Sequence, residues 1–121
     1  MSDSDGAGML AESLLGLAPE VRYVAVYDSG RLELRQRDGL SGASETESDR
    51  YEELLVNPTV LKLTSQRGNI DCGGLEFVLV RYGNFFQLVV PTESGHVSVA
   101  LEPPLDVVLV ERVERAIRER A

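Results

Sequence analysis

The sequence predicts an α+β domain in which one five-stranded antiparallel sheet is sandwiched between helices, in the order α-β-β-α-β-β-β-α. Three observations carry that prediction. Apolar residues recur at helical spacing in three segments; β-branched and aromatic residues fill five short runs; and turn residues separate the runs, as Asp28-Ser29-Gly30, Tyr82-Gly83-Asn84 and Thr92-Glu93-Ser94-Gly95. A chain of 121 residues with 43% hydrophobic content is long enough to bury its own core and too short for two independent domains.

Met9, Leu10, Leu14 and Leu17 mark a short amphipathic first helix that Pro19 ends. From Val21 to Tyr27 the residues suit a strand. After the turn at Asp28-Ser29-Gly30, the run from Arg31 to Arg37 alternates Leu32 and Leu34 with charged residues, which predicts a hairpin with a half-exposed second strand. Thr46, Ser48 and Asp49 offer N-caps for a middle helix carrying Tyr51, Leu54, Leu55 and Val56, with Gly68 as its stop. Asn57-Pro58 interrupts it, because proline removes one backbone bond and crowds the preceding turn, so the helix is either bent at Asn57 or split in two. Leu75 to Arg81, Phe85 to Pro91 and His96 to Glu102 form a meander. A last helix from about Leu105 to Arg120 repeats Leu109/Val110, Val113 and Ala116/Ile117, with Glu111 facing Arg115 and Glu114 facing Arg118.

Alternation predicts which strands are covered on both sides. The runs at 31–37 and 96–102 read as one-sided, the latter with Val97, Val99 and Leu101 against His96, Ser98 and Glu102. The runs at 75–81 and 85–91 carry apolar residues on both sides. The middle helix is expected on one face of the sheet and the terminal helices on the other. On a straight wheel the middle helix places Tyr51, Leu54, Leu55, Pro58 and Leu61 on one face and Val56, Val60 and Leu63 opposite. Either one face awaits a partner, or a bend at Pro58 rephases both stripes onto the sheet.

Residues 1–8 read as a disordered tail before a single domain over 9–121, and the Ser- and Gly-rich stretch from Asp38 to Glu47 reads as a loop. The N-terminus lacks the basic region and apolar run of a secretory signal, and no stretch is long enough to span a bilayer, so a cytoplasmic location is expected. Twenty acidic against 12 basic residues, a net charge of −8, argue against nucleic acid and anionic membrane surfaces as partners.

No residue pattern names a reaction. His96, the single histidine, reads as a surface imidazole opening a strand, and no metal-ligand spacing accompanies it. Cys72 lies beside Asp71, which opposes thiolate formation, so it reads as an inert thiol. Gly73-Gly74 lacks the spacing and lysine of a phosphate loop and reads as a flexible entry into the next strand. Glu45, Glu47, Asp49, Glu52 and Glu53 gather where a helix N-terminus favours acids, while Arg112, Arg115, Arg118 and Arg120 read as a solvated face. No catalytic residue, cofactor site or metal site is expected.

Three segments together carry a resemblance: VRYVAVYDSGRLEL, YEELLVNPTVLKLTSQRG and LEFVLVRYGNFFQLVVPTESGHVSVALE. In strand order, and in the YG hairpin, the P-x-x-x-GHVSV turn and the acidic-basic final helix, the chain resembles the roadblock family of dynein light chains over about residues 9–120. That family has a profilin-like fold and includes bacterial regulators of gliding-motility GTPases. The resemblance implies a sheet whose edges are the 31–37 and 75–81 strands. Arg31, Glu33, Arg35 and Arg37 guard the first edge, whereas Leu75 to Val80 leave the second apolar.

The resemblance further implies that this second edge and the middle helix pair across a two-fold axis, giving a homodimer with Val56, Val60, Leu63, Leu75, Phe77 and Leu79 at the interface. The implied function is a non-enzymatic adaptor that binds and regulates a small Ras-like GTPase by favouring one state of its switch loops, without an arginine finger. Two alternatives of other classes remain: a small acidic secretion-type chaperone, and a small-ligand sensor with Tyr82, Phe85 and Phe86 lining a pocket.

Overall fold

The computed structural model describes residues 3–39 and 46–120 of the chain. Helix α1 (Asp3–Leu15) is followed by β1 (Val21–Asp28) and β2 (Arg31–Gln36). Helix α2 (Thr46–Tyr51), a π-helical segment (Glu52–Val56) and α3 (Asn57–Asp71) come next, then β3 (Val78–Arg81), β4 (Phe86–Thr92), β5 (Gly95–Leu101) and α4 (Val107–Arg120). All five strands pair antiparallel in the order β2-β1-β5-β4-β3, so β2 and β3 are the edges, as the resemblance implied.

The β1-β2 turn has Ser29 at φ 51° and Gly30 at φ 85°, the pair of positive angles that a two-residue hairpin loop requires. One sheet face is covered by α1 and α4. There Val24, Val26, Leu88, Val90, Val97, Val99 and Leu101 meet Leu10, Leu14, Leu109, Val110, Val113 and Ile117 in one continuous core. Asp106 caps α4, accepting from the Val108 N–H at 2.9 Å, and the expected Glu114–Arg118 pair forms at 3.0 Å.

Several boundaries differ from the sequence reading. The first helix starts at Asp3 rather than Met9, so helix replaces most of the tail expected over residues 1–8; residues 1 and 2 lie outside the described residues. The cause is docking: Ala7 packs on the core, and Gly8 is buried so close to the Arg35 guanidinium that a Cβ would lie 2.9 Å from Nη2. Arg35 also donates to Glu12 at 2.9 Å. Arg37 donates to the carbonyls of Leu15, Ala18 and Val21, closing the C-terminus of α1. These arginines therefore tie the first helix to the sheet edge as well as charging it. Of the loop expected over 38–47, residues 40–45 lie outside the described residues, and Thr46 and Glu47 already belong to α2.

The middle helix, 46–71, is neither split nor stopped at Pro58. Tyr51, Val56 and Asn57 all keep right-handed helical angles, and the Asn57 N–H donates to the Glu52 carbonyl, five residues back. This wider turn sits directly before Pro58, where an ordinary α-turn would meet the proline ring. The helix also runs past Gly68. Its end is at Cys72, where the N–H groups of Cys72 and Gly74 both donate to the Gly68 carbonyl at 3.1 Å. Gly73 at φ 80° and Gly74 at φ 91° supply the left-handed angles that this ending needs.

The burial of β5 also differs. Its expected polar side is covered: His96 is 2% exposed and Ser98 0%, beneath the middle helix. The sequence reading takes alternation as a sign of solvent, whereas here the polar face of a central strand is buried against polar partners.

Candidate functional site

Between Ser48 and Asp71 the buried residues are Asp49, Glu53, Asn57, Leu61 and Gly68. The first four recur every four residues, so one stripe faces the sheet, and most of it is polar. The large apolar side chains of the same helix point outward: Tyr51, Leu54, Leu55, Leu63 and Ile70 are 61%, 43%, 53%, 61% and 76% exposed. The helix is amphipathic in the inverse sense, with its polar stripe inward.

Glu53 makes the inverse stripe tolerable. Its carboxylate, 0% exposed, accepts from the Tyr23 hydroxyl at 2.9 Å, Asn57 Nδ2 at 2.9 Å and Gln87 Nε2 at 3.4 Å, and lies 2.8 Å from His96 Nε2. Gln87 also donates to Ser98 Oγ. One carboxylate thus joins the π-helical segment to β1, β4 and β5, and no described buried side-chain polar atom lacks a partner. Burial first, then the Glu53 carboxylate beside it, pushes the Tyr23 phenol far above the ordinary tyrosine range. Nearby, the Tyr82 hydroxyl donates to Glu52 Oε1 at 2.8 Å; burial first, then Glu52, pushes Tyr82 up to about 12. Burial, with the charges of Glu53 and Asp49, raises the Glu52 carboxyl against the opposing Tyr82 hydrogen bond.

Two cavities flank this network. A cleft of about 230 Å³ opens on one side, lined by Arg22, Tyr23, Glu52, Glu53, Tyr82 and Phe85 among others. On the other side a crevice of about 140 Å³ lies between the helix and β3, lined chiefly by Val56, Val60, Leu61, Val78, Val80 and Val89. Tyr82 borders both. Phe86, which the ligand-sensor alternative sets with Tyr82 and Phe85 in a pocket, packs against the opposite core, with Arg81 over its ring.

The six expected interface residues fall into distinct environments. Val56 and Val60 are half-buried and line the crevice, Leu63 projects outward, and Leu79 is 38% exposed on β3. Leu75 is half-buried ahead of β3, and Phe77 is half-buried against the main core. Among the described residues no strand lies beside the edge of β3 opposite β4, which leaves that edge, with Leu79 exposed on it, and the adjoining crevice as candidate interaction features.

The sequence reading misses two features. It groups Tyr51, Leu54 and Leu55 on one stripe with Leu61, which alone of the four is buried, and it places His96 at the surface. The polar i, i+4 series Asp49, Glu53, Asn57 is the available signal, together with the polar side of the 96–102 run. Cys72 is exposed, its thiol donating to Asp71 at 3.3 Å. Among the described residues, no three His, Cys, Asp or Glu side chains are grouped to hold a metal ion, and no helix is long and apolar enough to cross a membrane.

No family model and no curated protein matches the chain. Solved structures match it throughout. They include the roadblock/LC7 domain from Streptomyces avermitilis, with a TM-score of 0.67 at 12% identity over 93% of this chain and 94% of that one. The gliding protein MglB from Thermus thermophilus superposes with a TM-score of 0.68 at 11% identity, over 100% of this chain and 92% of that one. MglC from Myxococcus xanthus does so with a TM-score of 0.58 at 14% identity, over 95% and 97%. The chain has the roadblock fold.

Proposed function

Taking the roadblock fold as premise, we propose that this chain is a non-enzymatic regulator that self-associates through the β3 edge and binds a small Ras-like GTPase. The single observation that supports it best is the apolar β3 edge, which no described strand covers, with the Val56/Val60 crevice adjoining it. Natural sheets guard such edges or cover them, and β2 at the other edge is guarded by arginines and glutamate. A two-fold contact is the commonest way for a small domain to cover a self-complementary patch. The GTPase partner rests on the family resemblance, and the gliding protein MglB among the structural neighbours accords with it.

In this scheme the dimer favours one arrangement of the GTPase switch loops through contacts made to that arrangement alone. The test has two steps. Light scattering at micromolar concentration should give a mass near twice 13.3 kDa; a monomer overturns the edge argument. The dimer should then bind a candidate GTPase differently in its two nucleotide states, and equal binding rejects the regulator reading. The small-ligand alternative is favoured by one observation, the cleft of about 230 Å³ beside Tyr82 and Phe85, and a metabolite screen by thermal shift addresses it.

A further inference from the structure

The middle helix is attached to the sheet in an unusual way. Its buried stripe has a single large apolar member, Leu61, whereas α4 buries Leu109, Val110, Val113 and Ile117. A helix normally gains most of its docking energy from such an apolar stripe. Here the main tie is the Glu53 carboxylate with its three partners on the strands, Tyr23, Gln87 and His96, and it stands between a cleft on one side and a crevice on the other. At its far end the helix terminates in Gly73 and Gly74, both at positive φ, with Gly68 packed 3.1 Å, measured from an ideal Cβ, from the Gly74 backbone. Glycines at an element terminus are suited to absorb a hinge rotation.

We infer that the middle helix is a strap that lifts from the sheet about its Gly68–Gly74 end, with the Glu53 network as the latch that holds it down. Lifting separates Glu53 and Asn57 on the helix from Tyr23, Gln87 and His96 on the strands. It joins the cleft to the crevice, since the latch and Tyr82 are what divide them. It also changes how Tyr51, Leu54 and Leu55 are presented to a partner. The inference does not depend on which partner the protein has.

Two neighbouring positions on β5 test it. Ser98 and Val99 are both 0% exposed and point to opposite faces, Ser98 beneath the middle helix and Val99 beneath α1 and α4. In a Cys72→Ser background, Ser98→Cys and Val99→Cys each place one buried thiol, and labelling by a small thiol reagent reads how often each face opens. The thiol of Ser98→Cys should label about tenfold or more faster than that of Val99→Cys. Adding Glu53→Gln, whose amide offers one acceptor and turns a donor toward Tyr23 or His96, should raise labelling at Ser98→Cys about tenfold and keep it well ahead of that at Val99→Cys.

Equal labelling of the two thiols, with or without Glu53→Gln, means that only global unfolding opens the sheet and overturns the strap, and labelling at Ser98→Cys that Glu53→Gln leaves unchanged overturns the latch. Ala25→Cys against Val24→Cys, both sites 0% exposed, repeats the comparison on β1 without touching the latch. If Glu53→Gln does not fold, the comparisons with Glu53 present decide alone.

Discussion

Glu53 and His96, 43 positions apart in the chain, meet at 2.8 Å with both side chains almost wholly shielded from water. The pair fastens the π-helical segment to the central strand. Because Tyr23, Asn57 and Gln87 also donate to Glu53, the carboxylate is acceptor to an entire buried layer.

Removing one member of such a layer strands the others without partners in a low-dielectric site. Glu53→Ala is expected to cost about 3–5 kcal/mol, since several buried groups lose their acceptor at once, each at about 1–3 kcal/mol. Urea denaturation monitored by circular dichroism measures it. A loss below about 1 kcal/mol, the net worth of an ordinary hydrogen bond, refutes the view that this network anchors the helix.

The phenols beside these carboxylates give an alkaline signature. Tyr82 has its folded-state value raised from 10.0 to about 12, by burial first and by Glu52 second. A raised value means the folded chain holds the proton more tightly. The resulting stability is full below pH 10 and is lost as the pH rises from there toward about 12. Tyr82→Phe should therefore flatten the fall in stability across that window, and Tyr23 should keep its proton to still higher pH. Phenolate absorbance followed together with circular dichroism checks both. An unchanged slope in Tyr82→Phe counts against the Tyr82–Glu52 hydrogen bond.

Glu52 behaves differently from its neighbour. Burial, Glu53 and Asp49 raise its value in the folded state above 4.5, so it favours folding most when protonated and opposes it increasingly as the pH rises past 4.5. At pH 7 Glu52→Gln should therefore stabilise slightly, by about 0.5 kcal/mol after allowing for solvent screening of a half-exposed group. The amide oxygen keeps the Tyr82 hydroxyl bonded. A clear loss of stability at pH 7 would show that the Tyr82 bond to a charged acceptor outweighs the crowding of acids.

The sequence of elements along the chain, the three helices and the composition of the α1/α4 core are legible because apolar spacing and turn residues report them directly, whereas the edges of the sheet are implied by the resemblance. Leu109, Val110, Val113 and Ile117 stand at helical spacing in the sequence and are all buried. The middle helix is harder to read because its inward face is written in Asp49, Glu53 and Asn57, residues that pattern rules assign to solvent. Tertiary hydrogen bonding reverses that assignment, and with it the faces of Tyr51, Leu54 and Leu55. The π-turn before Pro58 is legible only as an anomaly, since a proline signals that the helix must change there without saying how. Leu63 and Leu79 are exposed apolar positions near the outer edge, and alternation alone does not separate Phe77, which packs on the core, from them.

That last distinction decides which substitutions probe self-association. Leu63 and Leu79 are 61% and 38% exposed, so a charge there meets water in the isolated chain, and Leu63→Glu with Leu79→Glu should leave stability within about 0.5 kcal/mol. In a dimer built on the β3 edge the same charges face their own copies across the two-fold axis, where like charges without compensation disfavour pairing. The double variant should therefore shift the light-scattering mass from near twice 13.3 kDa to that of one chain, with unchanged circular dichroism. Phe77→Glu is the contrasting control. Its ring packs on the main core, so a carboxylate there should lower stability by about 3 kcal/mol or more at any protein concentration. If the double variant remains dimeric while folded, association runs through another surface, and the outward Tyr51, Leu54 and Leu55 face becomes the next to charge.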